Sequence, residues 1–116
     1  MTYTYDIHKR VFKFVVAGLK IIRLVPRSTE GQVILNQYIR SLTSVGANDN
    51  EADGAASKKD FIHCYSIVRK ELKETCYWLE ILATLYSQHT DHFTPLLKES
   101  EELTKIISAI IQKSRD

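Results

Sequence analysis

One stretch of this chain constrains the fold more than any other. Phe61, Tyr65, Val68, Leu72, Thr75, Leu79, Leu82 and Tyr86 follow one another in steps of four and three. Apolar residues at that spacing line one face of a helix and require a partner to cover them. Sustained over nearly four heptads, the stripe predicts a long helix in a bundle seam. Ser57-Lys58-Lys59-Asp60 just before it reads as an N-cap with an acid at the third position, a capping-box variant.

Three weaker stripes accompany it. Ile7, Val11, Phe14, Gly18, Ile21 and Val25 predict a first helix that ends at Pro26. Val33, Ile34, Tyr38, Leu42 and Val45 predict a second, capped by Ser28 or Thr29 and running to about Asp53, although Gly46-Ala47-Asn48-Asp49-Asn50 is poor in helix formers. Thr94-Pro95 reads as a cap followed by proline at the first helical position. Leu96, Leu103, Ile107 and Ile110 then carry a fourth helix to about Lys113. Short connections, with Gly54-Ala55-Ala56 as a tight corner, make neighbours antiparallel. The expected fold is therefore all-α, an up-down-up-down four-helix bundle forming a single domain over residues 1–116.

Composition removes other classes. Four Gly and two Pro are too few for a turn-rich β fold. No run of 18 apolar residues is present, so no transmembrane helix is expected, and Lys13, Lys20 and Arg23 interrupt the apolar stretch that could pass for a signal peptide. Cys64 and Cys76 lie 12 residues apart on one helix, about 18 Å by the helical rise and beyond disulfide reach. Buried free thiols in a reducing, cytoplasmic setting are expected.

Charge is uneven. Residues 1–40 hold seven Lys/Arg against Asp6 and Glu30, a balance of +5, while residues 41–57 hold only Asp49, Glu51 and Asp53. Lys9, Lys13, Lys20 and Arg23 fall on one face of helix 1, with Arg27 just beyond its end. Such a stripe is either a solvated face or a surface that contacts phosphates without reading sequence. On helix 2, Gln37, Arg40, Ser44, Asn48 and Glu51 share an arc of about 80°. They form either a solvated face or a buried network in which Arg40 meets Glu71 or Glu74 on helix 3. Breaking a fully buried pair of that kind costs roughly 3–5 kcal/mol.

Reaction chemistry is not indicated. A di-iron bundle needs two Glu-x-x-His pairs, and Asp60-Phe61-Ile62-His63 is a single partial match, with His89 and His92 near the helix 3–4 connection. A capping Asp60 and a surface His63 account for it. The cysteines lack zinc spacing, and no glycine-rich phosphate loop or nucleophile elbow occurs. Trp78 and Tyr77 adjoin the stripe as core and rim. No catalytic residue, metal, cofactor or small-molecule substrate is expected.

Across helices 2 and 3 the sequence resembles the four-helix-bundle proteins encoded by 23S rRNA intervening sequences, also labelled S23 ribosomal proteins. The residues that carry the resemblance are Gln37-Tyr-Ile-Arg40-Ser-Leu-Thr-Ser44-Val-Gly-Ala-Asn48 and Glu51-Ala52. They continue with Ser57-Lys58, Asp60-Phe61-Ile62-His63, Lys70-Glu71, Glu74-Thr75 and Tyr77-Trp78-Leu79. Helices 1 and 4 agree only in length and pattern. Two departures stand out: Leu42 replaces a usually small residue, and Asp49-Asn50 is more polar than the family's common stretch. The resemblance implies a bundle that assembles into a ring, typically a homopentamer, and no established reaction. It also implies kinship to the accessory variability determinants of diversity-generating retroelements, which are basic pentamers that bind a reverse transcriptase and RNA. It favours the structural network for Arg40, Ser44, Asn48 and Glu51. Two function classes follow, a non-enzymatic module binding RNA or an RNA-processing partner and a protein-only scaffold.

Overall fold

The computed structural model describes residues 2–116, with side chains from residue 7 onward. Four helices follow in order: α1 (Thr2–Lys20), α2 (Thr29–Asp53), α3 (Lys58–Leu85) and α4 (Thr90–Arg115). Short 3-10 turns at Ile21–Leu24 and Ser87–His89 flank α1 and lead into α4. Each helix packs antiparallel on the next, and α4 returns to α1, giving an up-down-up-down bundle 45 Å long. The α2–α3 and α3–α4 pairs are intimate, whereas α1 lies mainly on α2 and touches α4 lightly.

The helix boundaries follow from local chemistry. Val25 is extended, at ψ 122°, because the ring of Pro26 bars it from the helical region. Ser28 then caps α2, its hydroxyl accepting from the Gly31 N–H at 3.0 Å, and Ser57 caps α3 by accepting from Asp60 N–H at 3.1 Å. At the far end of α2, Gly54 closes the corner by donating to Glu51 O.

The apolar stripes meet in one core. Ile7, Val11, Phe14, Tyr38, Leu42, Tyr65, Leu72, Leu79, Phe93, Leu103 and Ile107 all lie within it. Val33 does not: it is 59% exposed on the outer side of α2, because Ile34 beside it already takes the inward step. The fourth helix also starts earlier than Thr94-Pro95 implies. It begins at Thr90, whose hydroxyl donates to Ser87 O at 2.7 Å. Phe93, fully buried, adds one more inward step to the stripe of Leu96, Ser100 and Leu103 and holds that turn in the helix. Pro95 costs one bond, to the carbonyl of Asp91, but both residues face water, where that carbonyl is solvated.

Gly46 to Asn50 is helical despite its composition. Tertiary contacts outweigh its weak propensity: a Cβ on Gly46 would lie 3.2 Å from Val15 Cγ2, so the glycine lets α1 approach closely. Gly18 does the same further along. A Cβ there would meet Leu42 Cδ2 and Tyr38 Oη, each at 2.7 Å, while the Tyr38 hydroxyl donates to the Gly18 carbonyl at 2.7 Å. Leu42, the departure from the family's small residue, is thus accommodated by a glycine on the facing helix.

Candidate functional site: two helix seams and a basic face

Three polar groupings lie on this frame. The first joins α2 to α3. Arg40 donates through Nη2 to Glu74 Oε2 and, at 3.5 Å, through Nη1 to Glu71 Oε2. Ser44 donates to the same Glu71 oxygen at 3.3 Å, and Asn48 Nδ2 donates back to the Ser44 carbonyl and hydroxyl. The Trp78 indole N–H reaches Glu74 Oε2 at 3.2 Å. That bond, followed by the Arg40 contact, holds the Glu74 carboxyl below the usual range. Glu71 is the buried member, and its Oε1 has no hydrogen-bond partner among the described residues.

This network differs from the buried one the stripe suggests. The Arg40 side chain is 50% exposed, because its long stem lets the guanidinium reach the surface. Gln37 and Glu51 are exposed at the two ends of the arc, and the network among the described residues closes without them. What remains fixes the α2–α3 register.

The second grouping was not apparent from the motifs. Asp49 is 4% exposed and lies between three helices. Its Oδ2 is 2.8 Å from His8 Nδ1 on α1, and its Oδ1 accepts from the Tyr65 hydroxyl on α3 at 3.0 Å. His8 Nε2 is 3.2 Å from Asp53 Oδ1 but out of line for a hydrogen bond. A signal was present in the sequence: Leu42, Val45, Asp49 and Ala52 step by three, four and three, which puts Asp49 on the core face. On the other flank, Arg10 clasps Glu99 of α4 through both Nε and Nη2, at 3.0 and 2.7 Å.

The third grouping is the basic stripe. Lys9, Lys13, Lys20 and Arg23 are all exposed on the outer side of α1. The 3-10 turn brings Arg23 over Lys20, to whose carbonyl it donates at 3.2 Å, since i and i+3 eclipse in that geometry. Phe12, 70% exposed, adjoins the stripe.

Other side chains occupy unremarkable positions. His63 is exposed, Trp78 half-buried and Tyr77 54% exposed. Cys64 is buried but Cys76 only half-buried, at the α3 surface near Glu80, so the pair is not uniformly interior. Burial pushes both thiols up from their ordinary value. Among the described residues no group of three or more His, Cys, Asp or Glu could hold a metal ion, and no helix is long and apolar enough to cross a membrane.

Fold and seams define a class: an up-down-up-down bundle with polar clasps at its helix interfaces and a charged outer face on its first helix. Within that class, the chain belongs to the 23S rRNA-intervening sequence protein family, which it matches over residues 4–109. It is also similar to a solved structure from Bacteroides thetaiotaomicron, described as a protein of unknown function from the S23 ribosomal protein family. The two are 30% identical with a TM-score of 0.84, over 95% of this chain and 98% of that one. No curated protein matches the chain.

Proposed function

We propose that this chain is a non-enzymatic, self-assembling four-helix module that holds nucleic acid against the outer face of α1. The observation that carries the reading is the exposed line of Lys9, Lys13, Lys20 and Arg23. Four cations per copy give weak, salt-sensitive affinity. A ring multiplies them, because linked sites raise effective concentration when one strand spans several. The pentamer implied by the family resemblance supplies that multiplicity, and an RNA-processing protein such as a reverse transcriptase is the partner class that would share the RNA.

Binding is tested by retention of labelled single-stranded RNA at about 50 mM salt. Affinity should be tolerant of sequence and fall by about 0.7 log units per contacted phosphate for each tenfold rise in salt. Replacing Lys13 and Lys20 with Glu should weaken all sequences alike while preserving the assembly. Absence of RNA and DNA retention by the native protein would refute the reading and leave a protein-only scaffold in its place.

A further inference from the structure

The lysine line of α1 leaves one neighbour unexplained. Phe12 is 70% exposed, more than any other large apolar residue described. A lone exposed apolar side chain is ordinary, but the position of this one is not. At 100° per residue, Phe12 lies about 80° around α1 from the mean direction of Lys9, Lys13 and Lys20. Leu19, 37% exposed, is about 20° further on. On the other side of Phe12, Val15 turns toward α2, where it meets Gly46. The ring therefore stands on a ridge, with cations on one flank and the α1–α2 seam on the other.

That seam holds an open groove of about 750 Å³, lined in part by Phe12, Val15, Gly46, Ala47, Asn50 and Asp53. Such a size is that of small-ligand pockets, which span roughly 300–1,000 Å³. Gly46 and Ala47 carry little or no side chain, which keeps the groove open beside Val15. Asn50 is exposed, and its amide both donates and accepts. The Asp53 side chain, 67% exposed, gives the groove a negative end. Asp49 adds no free acceptor, because His8 and Tyr65 engage both of its oxygens. A phosphate is thus drawn to the lysine line and repelled from the groove. A nucleobase has the opposite character: neutral, flat, apolar on its faces and polar at its edge.

We infer that Phe12 is a stacking platform for an unpaired base of single-stranded RNA, turned into the α1–α2 groove while its phosphates follow Lys9, Lys13 and Lys20. This deepens the nucleic-acid reading above and rests on it: the strand is single, and its bases face α2. Stacking on an aromatic ring tolerates any sequence, because every base has a π-face. The Asn50 amide does not narrow the choice, since every base edge carries an acceptor or a donor that it can meet. A duplex gains only the lysine contacts. Its bases are already stacked on one another and cannot reach the ring, and phosphate contacts alone do not distinguish one strand from two.

The full-length chain tests it by titration, at low salt, with a labelled RNA of mixed sequence and with the same strand annealed to its complement. Native protein should hold the single strand more tightly than the duplex. Phe12→Ala, at an exposed position, should remain helical by circular dichroism. It should weaken single-strand binding by about 5- to 150-fold per stacked base and leave duplex binding unchanged. Phe12→Trp should restore the native preference. A 2-aminopurine placed in the strand should lose fluorescence on binding to native protein and to Phe12→Trp, and keep it with Phe12→Ala. If native protein binds duplex as tightly as single strand, or if Phe12→Ala weakens neither or both alike, the inference is overturned while nucleic-acid binding stands. Retention of neither ligand would overturn both.

Discussion

Gly18→Ala is a small substitution with two opposed consequences, and the structure decides between them. Inside a helix, alanine is favoured over glycine by about 1 kcal/mol. Against this, the new Cβ would lie 2.7 Å from both Leu42 Cδ2 and Tyr38 Oη, closer than such contacts occur. Leu42 and Tyr38 are both fully buried, so moving either presses on its neighbours in the core. Overpacking of that kind costs about 1–3 kcal/mol. Pushing Tyr38 aside also strains its bond to the Gly18 carbonyl, worth about 1 kcal/mol. The net effect should be destabilisation by about 1–3 kcal/mol, read as a lowered urea midpoint at unchanged slope. In a chain of this length each kcal/mol lowers Tm by about 4 °C. Leu42→Ala alone should cost about 2–5 kcal/mol through the cavity it leaves. In the double variant the alanine methyl at position 18 takes part of that space, so the two losses should sum to more than the measured total. A Gly18→Ala protein as stable as the native one, or strictly additive losses, would refute the steric reciprocity of these positions.

Arg40→Ala should cost about 1 kcal/mol, the scale of a half-exposed ion pair, and adding Glu71→Gln should recover part of it by removing the buried charge; chemical unfolding of both variants checks this. For acid stability the sign follows from the lowered Glu74 carboxyl, held down first by the Trp78 indole and then by Arg40. A carboxyl that ionises more readily when folded contributes stability that is fully present above the ordinary glutamate value of about 4.3 and lost as pH falls through its lower folded value. Glu74→Gln should therefore flatten the loss of stability below about pH 4.3, and the fluorescence of Trp78, the single tryptophan, should report the bond's rupture in native protein only.

The bundle itself was legible because its signal is periodic and redundant. On α3 each inward step repeats the one before, so a single exception cannot alter the reading. Caps were legible because they are local: Ser28 and Ser57 act on N–H groups three residues away. The start of α4 was not, because Pro95 is a strong local cue while the stronger constraint, burial of Phe93, comes from the other helices. Arg40 was placed on the correct seam, but its exposure depends on the length of its own side chain. Asp49 shows the converse limit. The period of Leu42, Val45 and Ala52 carries it to the core face, yet its partners sit 41 residues before it and 16 after it in the chain. No local pattern links residues so far apart.

The light attachment of α1 sets an order of opening within the folded protein. The α2–α3 and α3–α4 seams hold Leu72, Leu79, Leu82 and Leu103 at full burial. By contrast, α1 is fastened by its apolar stripe, by the Tyr38 hydroxyl on the Gly18 carbonyl, by His8 on Asp49, and by Arg10 on Glu99. Backbone amides of α1 should therefore exchange with solvent through a local detachment that leaves the other three helices closed, at a free energy below that of global unfolding. The basic line rides on this helix. The basic outer face of the molecule is thus carried by its most lightly attached segment, and any ligand that settled on α1 would also fasten it.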